Sequence, residues 1–240
     1  MVTEESITLK TQDTSLIVEI VGLAGAGKTT LVRLMSQLNG NIQVGPELKL
    51  RKIDHIPTFI AQTYSLLPVL FQQYPGSRWF TWDEIKSMAY LKGWPQLLSR
   101  QAMNQNAVIL LDHGPVFKLA TLHAFGPERL RNRSNEKWWD AMFEQWAQAL
   151  DVVVWLDAPD TVLSNRINNR VQKHAVKGKS QQEAHNFLAL YRESYEQILA
   201  SLKTRKGPAF FQIDTFSNPI EHVLDEVLNI CNIRLVEKSK

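Results

Sequence analysis

The sequence predicts an α/β fold, a parallel sheet covered by helices on both faces, and two observations carry that prediction. Short runs of contiguous apolar residues, Ala107–Leu111 and Val152–Leu156, have the length and composition of strands buried on both faces. Between them lie longer segments whose apolar residues recur at helical spacing. Strands alternating with helices build a parallel sheet, because each helix carries the chain back to start the next strand in the same direction. The first strand is Leu16–Gly22, a β-branched run ending in glycine. Lys28–Leu38 follows as a helix, with Leu31, Leu34, Met35 and Leu38 on one face. Further helices are expected over 83–104, 134–150, 159–173, 182–204 and 218–233. In the second of these, Trp139, Phe143, Trp146 and Leu150 form a core-facing stripe. Phe210–Ile213 is a weaker strand. The linkers are short, which points to one domain over 15–235. A polar, flexible N-terminus covers 1–14, residues 55–80, rich in Phe, Tyr, Pro and Gln, read as an insertion beside the sheet, and 236–240 is a tail.

Composition narrows the function classes. Hydrophobic residues make up 44% and charged residues 21% of the 240, an ordinary globular balance. A net charge of +3 without a long basic run leaves no electrostatic footprint for nucleic acid. No apolar run exceeds five residues, against about 18 for a spanning helix, so no membrane segment is expected. Met1-Val-Thr-Glu-Glu lacks the basic-then-apolar form of a signal peptide. The single cysteine, Cys231, sits in Val-Leu-Asn-Ile-Cys-Asn-Ile, reads as a core helix residue and has no partner for an internal disulfide. A reducing, cytoplasmic home is the expectation.

The chemistry-bearing motif is Gly22-Leu-Ala-Gly-Ala-Gly-Lys28-Thr29, which matches G-x-x-x-x-G-K-[ST] without a mismatch. Glycines let successive backbone N–H groups turn inward around a phosphate. The lysine then reaches the outer phosphates and the threonine hydroxyl binds Mg²⁺, while the helix that follows points its positive end at the same anion. Gly22, Ala24, Gly25, Ala26, Gly27, Lys28, Thr29 and Thr30 are therefore the expected nucleotide contacts. Three predicted strands end in an acid: Asp112, Asp157 and Asp214. Ligands of open α/β sheets bind outside these strand ends. Asp112 is the expected second Mg²⁺ ligand, since its strand should lie beside the phosphate-loop strand; the alternative is a cap for the next helix. Asp157 and Asp214 read as structural.

These motifs resemble the P-loop nucleoside and nucleotide kinases, the thymidylate-kinase and deoxynucleoside-kinase group. Leu156-Asp157-Ala158-Pro159 looks like the exit of that family's fourth strand, and Arg166-Ile-Asn-Asn-Arg170 like the start of its arginine-bearing lid, here about 166–182. Ile213-Asp214-Thr215 with Ser217-Asn218-Pro219 looks like the last strand and the loop beside the adenine. Gly45-Pro46-Glu47 resembles the second-strand exit whose glutamate acts as general base. The resemblance implies a P-loop NTPase three-layer sandwich with a five-stranded parallel sheet, and an acceptor-side insertion over about 55–105. It also implies ATP and Mg²⁺ as cofactors and phosphoryl transfer to a small-molecule acceptor. That acceptor is a nucleoside or nucleotide, with a sugar or antibiotic hydroxyl as runner-up and a nucleotide-binding module without transferase activity as a third reading. A homodimer is left open.

One departure stands out. Where the family carries acid-Arg after the third strand, this chain has Asp112-His113-Gly114-Pro115. Histidine cannot grip a phosphate or hydroxyl with the bidentate fork of arginine. Lys28, Asp112, Arg166, Arg170 and Glu47 are the catalytic candidates, and Glu47, Arg78 and His113 the acceptor-side ones. Arg166 and Arg170, four apart, are expected on one helical face, with Leu163, Ile167 and Val171 on the neighbouring apolar row. Tyr64, Phe71, Trp79, Phe80 and Trp82 could line a base or sugar pocket, but most read as core. A regulatory GTPase is disfavoured: no Asn-Lys-x-Asp motif occurs, and no Asp-x-x-Gly follows the Asp112 strand.

Overall fold

The structure is a computed structural model and describes residues 15–38, 42–45, 56–72, 76–102, 107–172 and 174–238. Five strands, β1 (Leu16–Gly22), β2 (Ile42–Val44), β3 (Val108–Asp112), β4 (Val152–Asp157) and β5 (Ala209–Asp214), form one sheet in the order β2-β3-β1-β4-β5. Every pairing is parallel. The expected strands are all present, and β1 lies at the centre, where successive strands turn to opposite sides. Its register sets Ile20 opposite Asp112 of β3 and Gly22 opposite Leu156 of β4. The loop after β1 therefore leaves the sheet at its topological switch point, the crevice where open α/β sheets bind ligands.

The helices are α1 (Lys28–Gln37), α2 (Ile56–Ser65), α3 (Leu67–Leu70), α4 (Trp82–Ala102), α5 (Pro115–Phe125), α6 (Glu136–Ala149), α7 (Asp160–Asn168), α8 (Gln181–Lys203) and α9 (Ile220–Lys238). α1 and α9 pack on one another and on β1, whereas α5 meets β1 from the second helical layer, which α4, α6 and α8 complete. The result is the three-layer sandwich that the resemblance implied. Val152, Val153 and Val154 of β4 are wholly buried, as a strand covered on both faces requires. Cys231 lies in the core on α9. No helix among the described residues is long and apolar enough to cross a membrane.

α4 joins α6 through an exchange of hydrogen bonds. Pro95 lies inside α4 and has no N–H for the carbonyl of Leu91, one turn earlier. Trp146 of α6, fully buried in its expected stripe, donates its indole N–H to that carbonyl at 2.9 Å. Gln145 of the same helix donates to the carbonyl of Lys92 at 3.0 Å. A gap left by proline thus gives a buried indole the partner it needs.

Four expectations change. The helix expected over 159–173 ends at Asn168. Its short amides compete with the backbone, and the Asn168 side chain accepts from the N–H of Gly178 at 3.1 Å, which turns the chain away. Leu163 and Ile167 are buried, but Val171 lies past the helix and is 99% exposed. Arg170 likewise stands beyond the helix rather than on its face. Residues 236–238 belong to α9 instead of a tail, and the Lys238 ammonium donates to Ser15 O and to Asp151. Among Tyr64, Phe71, Trp79, Phe80 and Trp82, only Phe80 is buried; the other four are exposed by half or more. Phe71 and Trp79 pack edge to face, as do Phe59 and Trp82, and the Arg129 guanidinium covers the Trp79 ring. Residues 1–14 and Glu47 lie outside the described residues.

Candidate active site

The loop between β1 and α1 is built on close backbone approaches that only glycine permits. A Cβ on Gly22 would stand 2.2 Å from Leu156 O of β4, and one on Gly25 would stand 2.9 Å from Leu163 O of α7. Both residues also have positive φ. The second contact seats α7 directly on the loop.

Lys28 opens α1 and is buried; its ammonium donates to the carbonyls of Gly22 at 2.7 Å and Leu23 at 3.0 Å. Burial pulls its pKa down to about 8, the nearby Arg170 charge adds to that, and Asp112 opposes it. The lysine is thus folded back beside the loop with its charge poorly solvated, so an arriving phosphate would meet an ammonium that gains from being paired.

Thr29 Oγ1 donates to Asp112 Oδ2 at 3.0 Å, so the parallel β1–β3 register brings the two expected Mg²⁺ ligands together. The other carboxylate oxygen, Oδ1, is buried and accepts no hydrogen bond among the described residues, although His113 Nδ1 stands 3.2 Å away. A hard carboxylate oxygen that accepts no hydrogen bond, beside a threonine hydroxyl, is the chemistry that Mg²⁺ takes up. These residues fit the ion. Asp112 does not cap the following helix: the N-cap of α5 is Gly114, with no side-chain cap of its own.

Arg166 donates to Gly25 O at 3.3 Å, to Thr215 Oγ1 at 3.2 Å and to Thr215 O at 2.8 Å. It therefore ties α7, the loop after β1 and the turn after β5 together. Arg170 faces the cavities on both sides of the loop. The first, about 310 Å³, is lined by Leu23, Ala24, Lys28, Thr29, His113 and Arg170, with Phe117 of α5, His174 of the lid turn, and Phe187 and Tyr191 of α8. The second, about 510 Å³, is bounded by Gly25, Ala26, Gly27, Thr30, Arg166, Arg170 and the Thr215–Pro219 turn, with the exposed ring of Phe216 at its edge. The loop residues, Arg166, Arg170, Asp112 and His113 converge around these two cavities.

His113 takes φ 58, a left-handed backbone rare for a histidine, and its ring meets Phe117 edge on. His174, expected among the basic residues of a mobile lid loop, is half-buried against Phe187. Burial, then the charges of Arg170 and Lys28, lower its pKa, so at neutral pH it is an uncharged donor or acceptor. Arg78 is placed otherwise than expected. Its guanidinium grips Glu84 with both nitrogens and reaches Trp79 O and Phe125 O, and it lines neither cavity. Asp157 pairs with Arg192 at 2.6 Å, and Asp214 accepts from the N–H groups of Phe216 and Ser217.

The fold is that of the P-loop nucleoside and nucleotide kinases. Among the solved structures that are similar over nearly the whole chain are two kinases. A thymidylate kinase from Candida albicans superposes with a TM-score of 0.55 at 17% identity, covering 92% of this chain and 93% of its own. A deoxyadenosine kinase from M. mycoides with bound dATP gives 0.50 at 14% identity, covering 90% and 100%. No family model and no curated protein matches the sequence.

Proposed function

We propose that this chain is an ATP-dependent phosphotransferase that moves the γ-phosphate of ATP to a small-molecule acceptor, a nucleoside or nucleotide. The observation that carries the reading is the convergence on one loop of Lys28, the Thr29–Asp112 pair and Arg170, between two separate cavities. A transferase needs two rooms sharing one phosphate site; a regulatory nucleotide switch needs one. The second cavity suits the base and ribose of the donor, with the Phe216 ring free to stack on the base. The triphosphate then runs along the loop amides at the amino end of α1. The first cavity, with its aromatic wall of Phe117, Phe187 and Tyr191, suits the acceptor.

Phosphoryl transfer of this kind is mostly positioning and electrostatics. Lys28 leaves its loop carbonyls for the outer phosphates, and Arg170, free of the helix, follows the lid onto the equatorial oxygens of the migrating group. Arg166 holds lid and loop in register. Thr29 and Asp112 would hold Mg²⁺, which neutralises charge on the phosphates when bound. Asp112 or Glu47 orients the acceptor. His113 in place of arginine favours a directional contact to a hydroxyl or ring atom over a fixed charge pair.

The test is a panel of nucleosides, nucleotides, sugars and aminoglycosides incubated with γ-labelled ATP and Mg²⁺. Label transfer to one acceptor class, lost in Lys28→Ala, supports the reading. ATP binding without transfer to any acceptor would favour a nucleotide-binding module instead.

A further inference from the structure

Glu19 sits in the middle of β1 with no exposed surface, between apolar Val18 and Ile20. A carboxyl group in the centre of a sheet is costly unless its oxygens are matched. Here they are matched by one turn of backbone. Oε2 accepts the N–H of Val116 at 2.9 Å and Oε1 that of Phe117 at 3.0 Å, two of the free donors in the first turn of α5. Gly114 lies flat against the same group, and a Cβ there would stand 2.7 Å from the carboxyl carbon. The backbone of Gly114, at φ −74, would accept any residue, so the carboxyl group excludes a side chain and the chain conformation does not. The helix has no side-chain cap of its own, and Glu19 supplies one from the neighbouring strand, 97 residues away in sequence.

Charge around the group follows the same logic. Burial pushes the Glu19 carboxyl up to about 8; the N–H groups of Phe117 and Val116, and then Lys118, mostly buried on α5, pull it back down, and Asp112 adds to the rise. Tyr90 of α4 and Tyr195 of α8 face it as well, and each is held in its neutral phenol form by burial. Asp112 and His113 immediately precede Gly114, and Val116 and Phe117 follow within the next turn. The turn that carries Asp112 and His113 into the site is therefore fastened at its far end to the strand that leads into the phosphate loop.

We propose that Glu19 is a positioning residue: by fastening the first turn of α5 to β1, its carboxyl group sets where Asp112 and His113 face the phosphate loop. The inference rests on the phosphotransferase reading for its kinetic consequence but not for its structural one. Both oxygens of Glu19 are committed to α5, and the Lys28 ammonium is committed to the carbonyls of Gly22 and Leu23, so nucleotide affinity and catalysis should separate.

The experiment combines Glu19→Gln, which keeps one acceptor oxygen, with Gly114→Ala, which leaves Glu19 intact and presses a methyl group on it. Backbone amide NMR of the unliganded protein is expected to show the one of Val116 and Phe117 that loses its acceptor oxygen moving upfield in Glu19→Gln, with Asp112 and His113 shifting in both variants. Misplacement of catalytic groups by a fraction of an ångström to an ångström predicts a fall in kcat on the order of ten- to a hundredfold. The Kd of metal-free ATP should stay within about twofold, since the charge contacts to phosphate remain. Folded variants with unmoved Asp112 and His113 resonances, or with wild-type kcat, overturn the proposal. If Glu19→Gln does not fold, Gly114→Ala decides the question alone, by the same resonances and the same rate. If the wild-type protein transfers no phosphate at all, the phosphotransferase reading fails, and the NMR shifts still decide the role of Glu19.

Discussion

Binding of metal-free ATP should weaken as pH rises through about 8, and Lys28 should be the cause. In the free protein burial lowers the pKa of the ammonium to about 8, against 10.5 for a solvated lysine. The charged groups around it are Asp112, which favours the ammonium, and Arg170, which disfavours it. At pH 7 about nine-tenths of the protein carries the charge, and at pH 9 about one-tenth does. If only the ammonium pairs with the outer phosphates, apparent affinity falls about tenfold over that range, or about 1.4 kcal/mol. The phosphates themselves finish ionising near pH 6, so they add little slope above pH 7. The sign for folding is the reverse. A lysine whose pKa is lowered by folding destabilises the fold below pH 8, and this cost is relieved as pH rises from about 8 towards 10.5. Isothermal titration calorimetry in EDTA from pH 7 to 9.5 reads the effect, and two buffers of different ionisation enthalpy reveal the proton taken up on binding. Lys28→Ala should bind weakly with a flat profile. A flat wild-type profile, or the wild-type slope surviving in Lys28→Ala, would rule out the lysine as the titrating group.

Other predictions follow the same contacts. Lys28→Ala should lose about 3 kcal/mol of transition-state stabilisation, read as kcat/KM for whichever acceptor the panel identifies, judged from other fixed charge contacts; near-native turnover would contradict its role. Arg170→Ala should lower kcat with little change in ATP affinity, because Arg170 is free to act late. Arg166→Ala should impair both, because it holds Gly25 and Thr215; kinetics set beside calorimetry separates them. Trp146→Phe should cost about 1–3 kcal/mol in urea unfolding, since Leu91 O is left buried without a donor. Pro95→Ala in that background should recover part of the loss by restoring an N–H to the helix, and a double-mutant cycle showing no coupling would sink the explanation.

The loop after β1 is legible in the sequence because a backbone turned this tightly against β4 and α7 demands glycine at fixed spacing. β3 and β4 are legible because strands buried on both faces leave unbroken apolar runs, whereas β2, three partly exposed residues, carries no such run. The place of Asp112 is legible too, since strand adjacency follows from the fold. The lid is legible only in part. Arg166 and Arg170 look like one helical face if periodicity is extended across Asn168-Asn169, where side-chain amides end the helix. Ser180 and Glu183, a capping box that starts α8, mark the far end of that turn in the sequence. Glu19 hides within its apolar strand, yet a lone glutamate among Leu16–Gly22 is itself a signal: its carboxyl group has to find buried donors, and only the tertiary structure shows that they belong to α5. Arg78 misleads for the opposite reason, since nothing local announces that Glu84 and Phe125 occupy its fork.

If the proposed chemistry holds, one loop presents its amides and Lys28 to a triphosphate whose γ end points at the aromatic cavity. A crystal structure with a non-hydrolysable ATP analogue and Mg²⁺ would show this arrangement outright. The expected complex has the γ-phosphate within hydrogen-bonding reach of Lys28 Nζ, the base beside Phe216, and the metal between Thr29 and Asp112. An analogue whose phosphates lie away from residues 22–30, or whose base fills the cavity of Phe117, Phe187 and Tyr191, would contradict it.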